Sequence, residues 1–221
     1  MSKRFEKSFF ITLEGGEGSG KTTQINRLAE ALTGLGYRVL TTREPGGTPE
    51  GEKIRALFVR DTGMNWSPMA EVLLILAARA MHVERVVRPA LEEKNIVICD
   101  RFTDSTTAYQ GYGRGLELSA IDSLTKSVIG ELKPDLTFIL DLPPGAGLSR
   151  STKRLARDHQ NENAAEDRFE KLELSFHDRV REGFLDIGKR EPERCIVVDA
   201  TTGVDKMARI ILDATLNKLG N

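Results

Sequence analysis

The sequence predicts an α/β fold of three layers, in which a five-stranded parallel sheet lies between helices on both faces. The first observation is that short apolar runs recur along the chain, separated by segments of helix length. The second is that these runs are unbroken rather than alternating, which is typical of strands covered on both faces. The predicted strands are 9–13, 39–41, 96–99, 136–140 and 195–198.

Composition favours a single domain over residues 1–221, because a chain of 221 residues can bury one sizeable core. The net charge of −1, with scattered lysines and arginines, argues against a broad surface for nucleic acid or for a membrane. No segment has the apolar length of a signal peptide or a membrane span. Cys99 and Cys195 are too few for a disulfide framework, so we expect reduced, buried thiols and a cytoplasmic protein.

A phosphate-binding loop follows the first predicted strand. Residues 15–22 read Gly-Gly-Glu-Gly-Ser-Gly-Lys-Thr, which is the spacing of a P-loop. Glycines let the backbone curl until successive N–H groups point at phosphate oxygens, Lys21 brings a positive charge to the β- and γ-phosphates, and Thr22 offers a hydroxyl to Mg²⁺. The predicted triphosphate-binding residues are Gly15, Gly16, Glu17, Gly18, Ser19, Gly20, Lys21, Thr22 and Thr23.

The helix that the motif requires comes next. Apolar residues recur at helical spacing from Ile25 to Leu35, and Gly34 and Gly36 stand where a helix would end. The dipole of this helix would add to the attraction for phosphate.

A long apolar helix is predicted over residues 69–91, after the second strand. It carries more hydrophobic surface than one groove on a sheet would cover, so we expect part of it to form a subunit interface in a homodimer. The alternative is a helix buried in the core of its own chain.

The segment 100–110, after the third strand, carries the residues that select a reaction. In parallel α/β sheets ligands gather at the carboxyl ends of strands. Asp100 can hold Mg²⁺ through water, and Arg101 can neutralise charge on transferring phosphate. Neutral hydrogen-bonding side chains suited to a base or a sugar follow at Ser105, Tyr109 and Gln110. The three histidines lack the spacing of a metal site and are expected to be packing or surface residues: His82, His159 and His177.

These motifs together resemble bacterial thymidylate kinase, over almost the whole chain. The resemblance is carried by the loop 15–22, by Thr-Arg-Glu-Pro-Gly-Gly-Thr at 42–48, by Ala-Ala-Arg at 77–79, and by the segment from 100 to 111. It implies a P-loop NTPase fold with a short lid at about 149–168. It also implies an enzyme that transfers the γ-phosphoryl group of ATP to dTMP, giving dTDP and ADP.

The resemblance also implies roles for individual residues. Thr22 and Asp100 match the metal site, and Arg79 matches the arginine that bonds the thymine carbonyl. Arg55 and Arg101 match residues on the acceptor phosphate. The implied dTMP-binding residues are Glu44, Arg55, Ile75, Arg79, Arg101, Ser105, Thr106, Tyr109 and Gln110. The implied catalytic residues are Lys21, Arg101, Arg154 and Glu17.

Two departures from the family pattern affect these roles. Ile75 stands where the family usually has a phenylalanine stacked on thymine, so aliphatic packing must replace ring stacking. Some members carry an arginine in the phosphate loop, whereas this loop has no cation besides Lys21. The compensating charge is therefore expected from the lid, with Arg154 as the first candidate and Arg168 as a further one. Arg150, Lys153 and Arg157 share a helical face with Arg154, and a mobile loop is expected at 158–167.

Three alternatives remain open at this stage. The chain could be another nucleoside or nucleotide kinase, acting on a deoxynucleoside or on UMP, although three arginines favour a pyrimidine monophosphate. A regulatory GTPase would read guanine with Asn-Lys-x-Asp, but the segment at 217–220 lacks the aspartate. A motor ATPase would follow its strand-end aspartate with a glutamate, where Arg101 stands here.

Overall fold

The computed structural model describes residues 8–59, 65–158 and 168–220, with the backbone alone for 153–158. Five strands form one sheet: β1 (Phe9–Glu14), β2 (Val39–Arg43), β3 (Ile96–Asp100), β4 (Leu136–Asp141) and β5 (Cys195–Asp199). The sheet is parallel, in the order β2-β3-β1-β4-β5. The predicted five-stranded parallel sheet is confirmed, and each strand extends at least one residue beyond its apolar run.

One to three α-helices connect each strand to the next within the described residues. The helix bounds are α1 (Lys21–Gly34), α2 (Pro49–Val59), α3 (Pro68–His82), α4 (Arg88–Glu92), α5 (Thr103–Thr106), α6 (Leu118–Ile129), α7 (Pro144–Asp158), α8 (Leu174–Arg190) and α9 (Val204–Leu219). None of them is both long and apolar enough to cross a membrane.

Both faces of the sheet are covered, which explains the unbroken apolar runs. On one face, alternate strand residues such as Ile11 and Phe138 join a core cluster with Leu28 of α1 and Ile211 of α9. The other face turns residues such as Phe10 and Val97 toward α4 and the turn before it, while Ile139 packs against α8. Because the three central strands, β1, β3 and β4, bury both rows of side chains, apolar residues occupy consecutive positions in them.

The helix predicted over 69–91 is correct in extent but not uniform. Ser67 caps α3 through a hydrogen bond from the Ala70 N–H to its hydroxyl, and Pro68 occupies the first turn. A π-helical turn, Val83–Val87, then joins α3 to α4. Pro89 lacks an N–H and its ring would clash with the carbonyl of Arg85, and the wider π turn accommodates it.

The parallel register brings the functional segments to one edge of the sheet. Leu13 of β1 pairs with Asp100 of β3, which also pairs with Arg43 of β2. The strands therefore end level with one another, and the loops that follow β1, β2 and β3 meet there.

Candidate active site

The phosphate loop connects β1 to α1 with the geometry that its glycines permit. Gly15 has φ 136°, and a Cβ there would lie 2.5 Å from the Leu140 carbonyl oxygen. Gly18 has φ 65°, and a Cβ there would lie 2.2 Å from the carbonyl oxygen of Gly147 in α7. Larger residues at these positions would collide with backbone, so the tight curl requires glycine.

Lys21, at the start of α1, is buried inside this loop. Its Nζ donates to the carbonyl oxygens of Gly15 and Gly16, at 3.1 and 3.0 Å. Burial, and after it the neighbouring Arg101, lower the pKa of Lys21 to about 8, against the carboxylates of Asp100 and Glu17. A triphosphate lying in the loop would bring negative charge next to Nζ and hold the lysine in its charged form.

A cleft of about 1130 Å³ opens beside the loop, at the carboxyl ends of the strands. It is long enough to take in both the predicted triphosphate site and the predicted acceptor site. The sequence-predicted residues that line it are Glu17, Gly18, Ser19, Gly20, Lys21, Thr22, Thr23, Glu44, Arg55, Ile75, Arg79, Asp100, Arg101, Ser105, Thr106, Tyr109 and Gln110. Gly15 and Gly16 lie at the back of the loop, where a smaller cavity of about 20 Å³ separates them from α8.

Arg101 lies at the centre of the cleft. Its backbone is left-handed, with φ 68°, which is uncommon for a residue other than glycine, and this turn directs the side chain back toward the phosphate loop. One guanidinium nitrogen donates to the Gly15 carbonyl oxygen at 3.0 Å and to Ser105 Oγ at 3.2 Å. The other donates to Glu17 Oε1 at 2.8 Å and to Tyr109 Oη at 3.1 Å. Arg101 therefore joins the phosphate loop to the acceptor segment.

Charge pairing determines the ionisation of Arg101 and Glu17. Burial alone would raise the pKa of Glu17, but Arg101, Lys21 and the Tyr109 hydroxyl outweigh it and lower that pKa to about 2. Burial likewise opposes the charge on Arg101, while the facing Tyr109, Glu17 and Asp100 raise its pKa. Both groups are charged at neutral pH, and Tyr109 donates to Glu17 Oε1 at 2.6 Å.

A second buried charge cluster forms the far end of the cleft. Arg79 of α3 is 1 % exposed; its Nε donates to Glu44 Oε2 at 2.6 Å and its Nη2 donates to Thr106 Oγ1 at 3.0 Å. His82 Nδ1 bonds the other carboxylate oxygen of Glu44 at 2.8 Å. Burial opposes ionisation of Glu44, but Arg79 and His82 prevail and lower its pKa.

Two polar atoms in this end of the cleft have no hydrogen-bond partner among the described residues. They are Arg79 Nη1, a donor, and Gln110 Oε1, an acceptor. Buried polar groups are rarely left unpaired, and these two line a cleft large enough for a ligand that could pair with both. Ile75 is buried in one apolar cluster with Phe58 and Phe169, whose ring centroids lie 5.2 Å apart, and all three residues line the cleft. Aromatic surface therefore still borders the cleft, although position 75 is aliphatic.

Thr22 and Asp100 lie together where Mg²⁺ is predicted. Thr22 Oγ1 donates to Asp100 Oδ2 at 3.3 Å, while the buried Asp100 Oδ1 has no partner within the described part of the chain. A hydroxyl beside an unpaired carboxylate oxygen fits a cation that takes most of its ligands from phosphates and water. No group of three or more metal-ligating side chains occurs in the described ranges, which agrees with a site of this type.

The candidates for a lid arginine are only partly described. The predicted charged helix is α7, and the exposed Arg150 lines the cleft beside Ser151. The side chain of Arg154, and the residues 159–167 that include His159, lie outside what the structure describes. Arg168 does not point into the phosphate end: its Nη2 donates to Glu71 Oε1 at 2.6 Å and its Nη1 donates to the Phe58 carbonyl oxygen at 3.0 Å.

Sequence reasoning missed three buried residues that hold the site together. Glu14 ends β1 and accepts the Phe102 N–H at 2.7 Å and the Ser105 hydroxyl at 2.5 Å. Glu71 binds Gln110 and Arg168, and His82 binds Glu44. The available signal was position: Glu14 directly follows the apolar run of β1, and Glu71 and His82 share the buried face of α3.

Comparison with known proteins agrees with this geometry. A sequence model described as thymidylate kinase matches residues 13–211. A thymidylate kinase of Caulobacter vibrioides is 47% identical over 214 residues, covering 97% of this chain and 99% of that relative. A thymidylate kinase of Syntrophotalea carbinolica is 49% identical over 212 residues, covering 96% of this chain and 97% of that relative.

A solved structure gives the same result for the fold. The crystal structure of thymidylate kinase from Ehrlichia chaffeensis has 38% sequence identity and a TM-score of 0.73, and the match covers 95% of this chain and 99% of that one. The predicted P-loop kinase fold and the predicted family are confirmed, and neither the GTPase nor the motor ATPase alternative is favoured. This chain belongs to the thymidylate kinase family.

Proposed function

We propose that the protein transfers the γ-phosphoryl group of ATP to dTMP, giving ADP and dTDP. The observation that carries this proposal is the pair of unpartnered atoms at the far end of the cleft, Arg79 Nη1 and Gln110 Oε1. Thymine presents a carbonyl oxygen, O4, beside a donor, N3–H. A donor and an acceptor in the protein complement these two groups, whereas cytosine presents an amino group and an unprotonated ring nitrogen in the same places.

The middle of the cleft suits the sugar and the acceptor phosphate. Arg101 and Arg55 both line it, and Arg55 is steadied by a hydrogen bond of 3.1 Å from its Nη1 to the Pro45 carbonyl oxygen. Tyr109 and Glu17 offer a ring and a carboxylate to the deoxyribose. Because Arg101 also touches the phosphate loop, it can follow charge as it moves from the donor to the acceptor.

The reaction needs little covalent help from the protein. An oxygen of the acceptor phosphate, already anionic, bonds to the γ-phosphorus, and the bond from that phosphorus to the β,γ-bridging oxygen breaks, leaving ADP. No strong base is required, so positioning and charge neutralisation carry the rate. Lys21 and Arg101 supply that charge, and the closed loop around Gly15–Gly20 orients the donor by its N–H groups.

Mg²⁺ is the cofactor that fits this site. Thr22 and Asp100, whose Oγ1 and Oδ2 lie 3.3 Å apart, would hold it. When bound, the ion would neutralise phosphate charge.

The proposal includes a lid, because the phosphate loop contains no arginine and the charged helix α7 lies beside the cleft. We expect residues 149–168 to cover the phosphates, with Arg154 as the first candidate for the charge that the phosphate loop lacks. The exposed Arg150, four residues before Arg154 on α7, lines the cleft, and this supports a lid at that position.

We also propose a homodimer through α3. Most of its predicted apolar surface lies in the core of its own chain, for example Val72 and Leu76, but Met69 and Leu73 are 37 % and 52 % exposed. These two residues are four apart and form a stripe on one face, which a second copy can cover. Two buried free thiols suit a reducing compartment, so we expect the protein to act in the cytoplasm.

A coupled assay of ATP consumption against a panel of monophosphates tests the function. We expect dTMP to be used best, dCMP poorly, and no turnover after Mg²⁺ is chelated. The panel includes dGMP, because guanine carries the same carbonyl and N–H pair as thymine and differs in ring size. A wild-type protein that uses dCMP as well as dTMP, or that uses neither, would contradict the proposal.

A further inference from the structure

Glu71 is a fully buried carboxylate that neither the family motifs nor the reaction accounts for. It lies in the first turn of α3 and is 0 % exposed. Three side chains from distant parts of the chain donate to it. Gln110 donates through Nε2 to Oε2 at 3.0 Å, Arg114 through Nη2 to Oε1 at 2.9 Å, and Arg168 through Nη2 to Oε1 at 2.6 Å.

We propose that Glu71 determines the base specificity of the acceptor pocket by orienting the side-chain amide of Gln110. The two polar atoms of a glutamine amide have opposite hydrogen-bonding roles: the oxygen accepts a hydrogen bond and the nitrogen donates. Whichever of these atoms binds Glu71, the other is available to the base. This inference rests on dTMP being the acceptor.

The carboxylate allows only one orientation of the amide. An ionised carboxylate accepts hydrogen bonds and cannot donate, so it binds Nε2 and would repel Oε1. Gln110 is 1 % exposed, so solvent cannot replace the hydrogen bond that a flipped amide would lose. The result is the observed arrangement, in which Oε1 lies in the cleft without a partner among the described residues.

Two arginines hold the Glu71 carboxylate in place. The side chain of Arg168 is 11 % exposed and that of Arg114 is 24 % exposed, and each brings a positive charge to the carboxylate, because a guanidinium does not lose its proton in a protein. Arg114 adds a longer contact, from Nε to Oε2 at 3.4 Å, on the same oxygen that binds Gln110. The carboxylate that orients the amide is therefore positioned by residues that do not line the cleft themselves.

Two side chains, Arg79 and Gln110, then determine which hydrogen-bonding groups a base must present in this pocket. Arg79 can only donate, and Gln110, held by Glu71, can only accept at the base. Thymine and uracil satisfy both groups, whereas cytosine opposes both. Glu44 orients the Arg79 guanidinium and Glu71 orients the Gln110 amide, so each of the two side chains at the base is held by a different buried carboxylate.

The variant Glu71→Gln tests this proposal. The new amide can donate as well as accept, so Gln110 is free to turn its nitrogen toward the base. We measure kcat/KM for dTMP, dUMP and dCMP on each protein. We expect the dTMP/dCMP ratio to fall at least about tenfold, since one hydrogen bond at a buried site is reversed. The dTMP/dUMP ratio should not change, because both bases present the same carbonyl and N–H.

Arg114→Gln is the matched control. It removes two contacts to Glu71 and weakens the same network, but it leaves the carboxylate against Gln110, so both ratios should stay at wild-type values. If Glu71→Gln is insoluble, the double variant Glu71→Gln/Arg114→Gln, in which the lost negative charge is balanced by a lost positive one, is compared with Arg114→Gln alone.

The outcomes separate this inference from the proposed function. A variant that slows all three substrates equally, with the dTMP/dCMP ratio kept, would mean that Glu71 is only structural and would overturn the inference. A wild-type protein that does not prefer dTMP to dCMP would instead overturn the proposed function, whatever Glu71 does.

Discussion

Glu14 makes the stability of this protein depend on pH in a way that one substitution can reveal. The carboxyl group is 0 % exposed at the end of β1. Burial, and after it the charge of Asp104, raise its pKa from 4.5 to about 7, against the hydrogen bond from Ser105, the charge of Arg101 and the hydrogen bond from the Phe102 N–H. The folded protein therefore holds a proton on Glu14 that the unfolded chain releases.

The size and sign of the effect follow from this difference. Because the folded pKa is raised, the contribution to stability is complete below pH 4.5 and is lost as the pH rises through about 7. A difference between 4.5 and about 7, at 1.36 kcal/mol for each pKa unit, corresponds to about 3 kcal/mol of unfolding free energy. This is a large fraction of the stability of a typical domain.

Glu14→Gln removes this dependence while keeping the shape of the side chain. The glutamine oxygen can still accept the Phe102 N–H, but the group cannot ionise. We expect the free energy of unfolding of the variant, minus that of the wild type, to increase by up to about 3 kcal/mol between pH 4.5 and pH values above 7. Urea denaturation of both proteins across this range measures the difference, and the other carboxylates cancel in the subtraction. A difference that is constant with pH would refute the raised pKa.

Four further predictions concern activity and assembly. Lys21→Ala should abolish phosphoryl transfer and leave a folded protein, since Nζ serves the phosphates; turnover by a folded variant would exclude that role. Arg79→Lys should lower the ratio of kcat/KM for dTMP to that for dCMP, because a lysine keeps a charge beside Glu44 but loses Nη1. Lysine is chosen because Arg79→Ala would leave the buried Glu44 carboxylate without its main partner and cost about 3–5 kcal/mol of stability. An unchanged ratio would contradict the role of Arg79 at the base. Light scattering should report a dimer that Leu73→Glu converts to monomers, and a monomeric wild type would contradict the interface. Each of the four lid arginines, Arg150, Arg154, Arg157 and Arg168, can be replaced singly by alanine. We expect one or two of these variants to lose turnover by a factor of roughly 10³ or more and the others to lose little, with ATP affinity little changed in all of them. Near-normal turnover in all four variants would exclude the lid role.

The sequence alone determined the order of elements and the donor site. Each strand could be read from a run of adjacent residues, and the phosphate loop is one continuous segment between a strand and a helix. Such features depend on local spacing and on glycine conformations, which a sequence displays directly. The predicted acceptor residues line one cleft, but the sequence offered them as separate motifs carried over from a family, and it gave Arg168 a lid role that its contacts with Glu71 and Phe58 do not favour.

Only the tertiary structure decided how those motifs hold one another. Glu71 meets Gln110 from 39 positions away, Arg79 meets Glu44 from 35, and Glu14 meets Ser105 from 91. The local pattern can place these carboxylates at a strand end or on a buried helix face, but it does not show which distant side chains they meet. Their effect arises from burial, because a charge removed from water must find its partners inside the fold. Which partners it finds depends on how the helices pack on the sheet, and that packing leaves Arg79 Nη1 and Gln110 Oε1 without a hydrogen-bond partner among the described residues that line the cleft.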